Sequence, residues 1–167
     1  MISFEMEQYF LKRTKHHISL VKKNIEHFIN NWYYPYGLRE RALKHDRSKF
    51  EEPERTGYIY RTWESYCILN NIEFSRPKEI VKEAVDHHLK NNSHHPEFFS
   101  CPNDMSDIDI IEMVCDWVAM GEEFGEKSIL PFADRVLDRK YKFHNEKVKK
   151  IYSYINLLEK FKSRSNE

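Results

Sequence analysis

The stretch around His45 and Asp46 is the first place where residue types suggest chemistry. An imidazole is followed directly by a carboxylate, and the ammonium group of Lys49 comes three residues after the carboxylate. Neighbouring residues leave a helix about 100° apart, so both can face one ion only where the end of a helix approaches it closely. The alternative is an exposed or ion-paired dipeptide, and the choice depends on partners elsewhere in the chain.

Histidines recur on the apolar faces of separate predicted helices. They are His17 in a helix predicted over 4–31, His45 in one over 38–46 and His88 in one over 77–90. Taken singly, such a histidine can be a residue at the edge of the core that hydrogen-bonds to backbone. A buried neutral histidine beside a carboxylate needs a partner for each group, and one metal cation serves both. Three inward histidines therefore favour a metal site.

Two more candidate groups follow, one in a loop and one on a later helix. His94 and His95 lie between an Asn-Asn-Ser run and a proline, a combination that ends a helix and favours an extended backbone. The alternative for this pair is an exposed polar loop. Asp116 lies in a mostly apolar helix predicted to begin near Ser106, where an unpaired carboxylate would be costly. A capping interaction, an ion pair with Arg or Lys, or a metal ion could satisfy it.

Composition sets the class of protein. The 167 residues suffice for one domain, which we expect at 1–162, with a disordered tail at 163–167. Only four Gly and six Pro, with abundant Lys and Glu, predict an all-α helical bundle. The 27 basic residues balance 27 acidic ones, which argues against a global pull toward nucleic acid or an anionic membrane. Three dispersed cysteines and the lack of a long apolar run predict a soluble cytoplasmic protein.

The remaining segments are expected to connect and support these helices. They are an aromatic connection over 32–37, a loop or short helix over 50–60, a short helix over 62–69, and a packing helix from Arg135 or Tyr141 to Lys162.

In this order the candidate residues resemble the HD-domain superfamily of metal-dependent phosphohydrolases. The hallmark of that family is an upstream His, an adjacent His-Asp pair and a downstream Asp, which hold a divalent metal inside a helical bundle. Members with two metals add histidines between the pair and the last Asp. The matching residues here are His17, His45, Asp46, His88, His94 or His95, and Asp116.

The chain is also similar to a small group of proteins, many of them in phages, that share three motifs. These read His-Asp-x-Ser-Lys-Phe with a following Glu, His-x3-Asn-x-His-His-Pro-Glu, and Glu-Met-x-x-Asp-Trp, here at 45–50 with Glu54, at 88–97 and at 112–117. Ser48 stands where the common HD-domain form has Gly. The resemblance implies that Lys49 meets substrate oxygens, and Glu54, Asn92 and Trp117 are expected to orient the ligands or the substrate.

The residue types agree with this chemistry. Imidazoles and carboxylates suit Mn, Fe, Co, Ni or Zn, whereas Mg prefers oxygen ligands. Two ions bridged by Asp46 would generate hydroxide near neutral pH and clamp a phosphate, while Lys49 would neutralise charge on its oxygens. We therefore expect a phosphohydrolase acting on a nucleotide or another small phosphorylated compound, with Asp46 and Lys49 as catalytic residues. The alternatives are an HD-type di-iron oxygenase and a metal-stabilised binding or inhibitory protein.

Overall fold

The regular structure is helical throughout the described part of the chain, as the composition predicts. The computed structural model describes residues 1–31 and 35–165, the last three of these by their backbone alone. The α-helices are α1 (Phe4–Asn31), α2 (Leu38–Lys44), α3 (Glu54–Leu69), α4 (Lys78–Asn91), α5 (Asp107–Glu123), α6 (Leu130–Arg139) and α7 (Asn145–Ser165). Short 3₁₀ turns lie at Arg47–Phe50, Pro96–Phe98 and Pro102–Asp104. Among these elements there is no helix with the length and apolar character needed to cross a bilayer.

Helix α1 joins two hydrophobic cores and carries a candidate ligand between them. Its N-terminal half contributes Phe10 to a small core with α3 and α4. Its C-terminal half contributes Val21 and Ile25 to a larger core with α5 and α7. His17 lies on the same buried face, between the two apolar segments. The helix therefore presents an imidazole at the boundary where the two cores meet.

Helices α3 and α4 pack unusually closely, and this closeness sets the distance between two site residues. A Cβ atom on Gly57 would lie 2.3 Å from the Cβ of Ala84 and 2.8 Å from the carbonyl oxygen of Ile80. Only glycine permits that approach. Glu54 lies one turn before Gly57, and His88 lies one turn after Ala84, so the same contact brings Glu54 and His88 together.

Helix α3 corrects the expected break in this region. The sequence predicts a loop or short helix over 50–60 and a separate helix over 62–69, but residues Glu54–Leu69 form one helix. Pro53 directly precedes it, a position where proline does not interrupt the hydrogen bonds. Gly57 is buried against α4, so its role is close packing rather than helix termination.

The end of the chain also departs from expectation. One packing helix is predicted from Arg135 or Tyr141 to Lys162, whereas two helices, α6 and α7, form there. Pro131 occupies the first turn of α6, a start signal that the sequence interpretation omitted. Helix α7 continues through Ser165, and residues 166–167 of the expected tail lie outside the described residues. The same is true of residues 32–34 of the expected aromatic connection.

Candidate metal centre

A break in the backbone lets the consecutive residues His45 and Asp46 face the same point. Helix α2 ends at Lys44, two residues earlier than the sequence predicts, and His45 is extended with φ −49° and ψ 127°. Asp46 then adopts a left-handed conformation with φ 58°, which aspartate tolerates better than most residues. Both side chains are almost fully buried, at 2% and 1% exposure. The dipeptide is therefore an interior feature at the end of a helix.

The carboxylate of Asp46 lies between two pairs of imidazoles. Its Oδ2 atom is 3.7 Å from Nε2 of both His17 and His45. Its Oδ1 atom is 3.2 Å from Nε2 of His88 and 3.7 Å from Nε2 of His94. Each oxygen thus faces a different pair, which is the arrangement required of a carboxylate that bridges two cations.

Two sets of side chains, all buried except the half-buried His95, are each compact enough to hold one ion. They are His17, His45 and Asp46 in one set, and His88, His94 and His95 in the other, with one ligand atom per residue and all atoms of a set within 4.8 Å of one another. Asp116 adjoins the first set, because its Oδ1 atom is 2.8 Å from His17 Nε2 and 3.9 Å from His45 Nε2. It pairs with imidazole here rather than with Arg or Lys.

Several ring nitrogens in these sets lack the partner that a buried polar atom needs. Within the described part of the chain, the buried side-chain atoms without a hydrogen bond include His45 Nε2, Asp46 Oδ1, His88 Nε2, His94 Nε2 and His95 Nε2. A buried polar atom left unpaired costs about 1–3 kcal/mol. All five belong to the two sets described above, so cations there would satisfy them together. The residues present therefore fit transition-metal ions, which favour imidazole and carboxylate ligands.

Glu112 supports one imidazole from each set on the opposite side of the ring. Its Oε1 atom is 2.9 Å from His45 Nδ1 and 3.5 Å from His94 Nδ1, while its Oε2 atom accepts a hydrogen bond from Arg41 Nε at 2.5 Å. Carboxylates placed in this way fix the ring orientation and leave Nε2 free to bind a metal. His45, His94 and Glu112 are also close enough to hold an ion. Because Arg41 neutralises Glu112, we assign the carboxylate to support instead.

Glu54 plays the corresponding part for His88. It is fully buried, and its Oε2 atom lies 2.7 Å from His88 Nδ1 and accepts a hydrogen bond from the Ser48 hydroxyl at 2.8 Å. Its Oε1 atom is 2.8 Å from Nδ1 of the half-exposed His87. The Asn92 amide donates to Ser48 Oγ at 3.2 Å and to the carbonyl of His88 at 2.9 Å. The structure thus brings Glu54 and Asn92 to the residues that the sequence predicts they orient.

Burial and neighbouring charges shift the pKa values of Asp46, His94 and His95 toward the protonation states that bind metal ions. Burial alone would raise the pKa of Asp46, but Lys49 and the neighbouring imidazoles outweigh it and hold that pKa well below its usual range. Burial, reinforced by His88, lowers the pKa of His95 to about 4. Burial also places the pKa of His94 well below its usual value. Both rings are neutral at neutral pH, the state in which histidine ligates metals.

A cleft of about 320 Å³ opens onto the two sets of ligands. Its lining includes the site residues His17, Asp46, His88, His95 and Asp116. Four basic residues also line it: Arg13, Lys49, Arg61 and Lys140. Lys49 Nζ lies 2.5 Å from Asp46 Oδ2, and although burial opposes its charge, Asp46 raises its pKa to about 12. Trp117 faces the same cleft and packs edge-on against Phe132, with ring centroids 5.4 Å apart.

The sequence interpretation missed several of these groups. Glu112 lies one turn from Asp116 on a shared face, yet its pairing with the imidazoles was not expected. Arg41 precedes His45 by one turn of α2, a spacing that could have indicated the contact between its guanidinium group and Glu112. The basic residues Arg13 and Arg61 carried no sequence signal, because only the packing of α1 and α3 brings them to one cleft.

Residues 6–157 match the family described as DUF5662, a family of unknown function, and the chain belongs to that family. The chain has no significant match among curated proteins and none among solved structures.

Proposed function

We propose that this member of the DUF5662 family is a metal-dependent phosphohydrolase that uses two transition-metal ions to act on a nucleotide or another small phosphorylated compound. One observation carries the proposal. The carboxylate of Asp46 lies between two sets of imidazoles, in which Nε2 of His45, His88, His94 and His95 has no hydrogen-bond partner among the described residues, and the ammonium group of Lys49 contacts that same carboxylate. The order of these residues along the chain resembles the HD-domain superfamily, which supports the same reaction class.

The two sets of ligands divide naturally around Asp46. One ion would be held by His17, His45 and Asp116 and the other by His88, His94 and His95, with Asp46 contributing to both. This division gives both His94 and His95 a place as ligands. When bound, such ions lower the pKa of water toward neutrality and polarise phosphoryl oxygens. Nitrogen-rich sites of this kind favour Mn, Fe, Co, Ni or Zn over Mg.

The chain's own residues supply substrate recognition. The ammonium group of Lys49 is held beside Asp46 in the lining of the cleft. From there it can stabilise the negative charge that phosphoryl oxygens gain during the reaction. Arg61 adds a further positive charge to the cleft lining beside Lys49, whereas Arg13 and Lys140, which also line it, pair with Glu123 and Glu97. Lys49 and Arg61 favour an anionic ligand. The volume of about 320 Å³ is at the small end of the range for ligand pockets, which favours a small molecule over a polymer.

The remaining polar residues hold the ligand geometry. Glu112 accepts a hydrogen bond from His45 Nδ1 and lies 3.5 Å from His94 Nδ1, and Glu54 accepts one from His88 Nδ1, while Arg41 and Ser48 donate to these carboxylates in turn. Each ring therefore presents Nε2 to the centre in a fixed orientation. Such supporting contacts can change metal affinity or activity about 10–100-fold.

Metal analysis combined with a substrate panel tests the proposal. Purified protein should contain a transition metal, and protein reloaded with Mn, Co or Ni should hydrolyse at least one phosphomonoester, phosphodiester or nucleoside triphosphate. Asp46→Asn should abolish turnover. Lys49→Met should retain the metal and lose most of its turnover, whereas Lys82→Met, which removes an exposed lysine on α4, should change neither.

Two outcomes would overturn the proposal. Failure of the metal-loaded protein to hydrolyse any compound in a broad panel would exclude the assigned reaction. Bound iron with oxygen consumption on addition of substrate would assign the same ligands to an oxygenase. Asp46→Ala separates a third case, in which the metal only stabilises the fold. In that case the variant would fail to fold, whereas a catalytic site would lose turnover while the fold is retained.

A further inference from the structure

A second cavity adjoins the cleft and shares a wall with it. Its volume is about 370 Å³, and it lies between the C-terminal end of α5 and the start of α6. Trp117, Met120 and Phe132 line both spaces. The shared wall makes the cavity an extension of the space in front of the ligand sets.

Helix α5 connects the two spaces directly. Asp116, beside His17 in the first ligand set, is followed by Trp117 in the shared wall, and Met120 lies one turn further on. Each turn advances about 5.4 Å along the helix axis. A molecule with its phosphate at the ligand sets would therefore reach the second cavity through a spacer of a few atoms.

Aromatic and apolar side chains dominate this cavity, and two of them are exposed to solvent. Phe124 is 52% exposed and Met120 is 37% exposed. Arg135 lies over the ring of Phe132, with its guanidinium carbon 5.6 Å from the ring centroid. Arg13 lies over Phe124 at 5.5 Å. An aromatic ring bound here would cover this exposed apolar surface. It would also meet the edges of Phe124 and Phe132, whose faces interact with arginine side chains.

Resting on the phosphohydrolase function, we propose that this cavity binds the organic part of the substrate, and that the substrate is a phosphomonoester whose alcohol carries an aromatic ring. The phosphate lies at Asp46 and Lys49, and the ring lies against Trp117, Phe132 and Phe124. Lys49 and Arg61 near the metal ligands and the apolar lining beyond them match the two ends of such a molecule. Phe124 and Phe132 then determine substrate choice without touching the reacting atoms.

Phosphonates that the protein cannot hydrolyse provide the probes. Protein reloaded with Mn is titrated by calorimetry with inorganic phosphate, butylphosphonate, 4-phenylbutylphosphonate and 4-cyclohexylbutylphosphonate. We expect the phenyl compound to bind at least tenfold more tightly than butylphosphonate and several-fold more tightly than the cyclohexyl compound. Binding should also change the tryptophan fluorescence of the protein, to which Trp117 contributes as one of three tryptophans, and this gives a second readout independent of turnover.

Two matched variants locate the ring. Phe124→Ala removes an exposed phenyl group from the cavity, and Phe98→Ala removes one of similar exposure, 45%, that lines neither space. Phe124→Ala should reduce the preference for the phenyl compound at least fivefold and leave the affinity for butylphosphonate unchanged. Phe98→Ala should leave both affinities unchanged.

The outcomes that overturn the inference differ from those that overturn the function. Tight binding of phosphate and butylphosphonate without a preference for the phenyl compound would exclude the ring subsite and leave the phosphohydrolase function standing. Equal preference in Phe124→Ala and in the unsubstituted protein would place the ring elsewhere. If neither phosphate nor any phosphonate binds the metal-loaded protein, the inference and the proposed function both fail.

Discussion

Removal of the metal ions should lower the melting temperature by about 10 °C or more. Besides His17 Nδ1, which lies 3.7 Å from Glu123 Oε2, five buried polar atoms of the two ligand sets lack a hydrogen-bond partner within the described residues. At about 1–3 kcal/mol for each unpaired atom, their combined cost is roughly 5–15 kcal/mol, as large as the whole stability of a typical domain. Water can satisfy some of them in the metal-free protein, so the low end of this range applies. For a domain of this size, each kcal/mol shifts the melting temperature by about 2–4 °C.

Calorimetry of three samples measures this effect: the protein as purified, the protein after exhaustive dialysis against a chelator, and the dialysed protein with added metal. Mn, Co or Zn should restore the melting temperature, and Mg or Ca should restore much less because the sites are rich in imidazole. Two neighbouring histidines on α1 provide a matched comparison. His17→Gln should reduce bound metal and the chelator effect, whereas the exposed His16→Gln should preserve both.

One result would refute the reasoning. If the purified protein contains no metal, and neither chelator nor added metal changes its melting temperature, then water satisfies the buried nitrogens and the two sets are not metal sites. Loss of metal in His16→Gln as well as in His17→Gln would point instead to nonspecific binding by histidines.

Glu112→Gln should weaken the binding of both ions about 10–100-fold, because one carboxylate holds His45 and His94 in different sets; competition with a coloured chelator measures this, and loss at one site alone would contradict it. Lys49→Met should lower kcat with little change in metal content, and unaltered kcat would remove Lys49 from the reaction. The metal-free protein should lose stability as the pH falls from 6.5 toward 4. In the unfolded chain His95 takes up a proton near its usual pKa of 6.5. In the folded chain it takes up that proton only near pH 4. This stability, about 3 kcal/mol, is fully present above pH 6.5 and lost by about pH 4, and denaturant titrations of His95→Gln against the unsubstituted protein isolate it.

The helical register was readable from the sequence because burial imposes it. The apolar period that places His17 inward on α1 and His88 inward on α4 is the same period that builds the two cores, and both side chains are buried. The bounds of α1 agree with expectation for the same reason, since a long amphipathic segment without Gly or Pro has few alternatives. Residues that serve the core and the site at once are therefore visible in one sequence.

Contacts between distant segments were not readable in this way. Gly57 resembles a helix breaker in isolation, and only its contact with Ala84 reveals a packing role. The pairing of Glu112 with His45 joins residues far apart in sequence, and no local pattern encodes that distance. Helix α6 was overlooked even though Pro131 marks its start, so part of the second cavity was also missed.

The left-handed backbone at Asp46 has a consequence for protein design. Transplanting the His-Asp dipeptide into a regular helix of another bundle would copy the ligands but leave them about 100° apart and unable to converge. A working transplant must also carry the early end of α2 at Lys44, the positive φ at residue 46 and the 3₁₀ turn that follows. The smallest part of this site that can be transferred is thus a backbone conformation, because the two side chains converge only when that conformation is present.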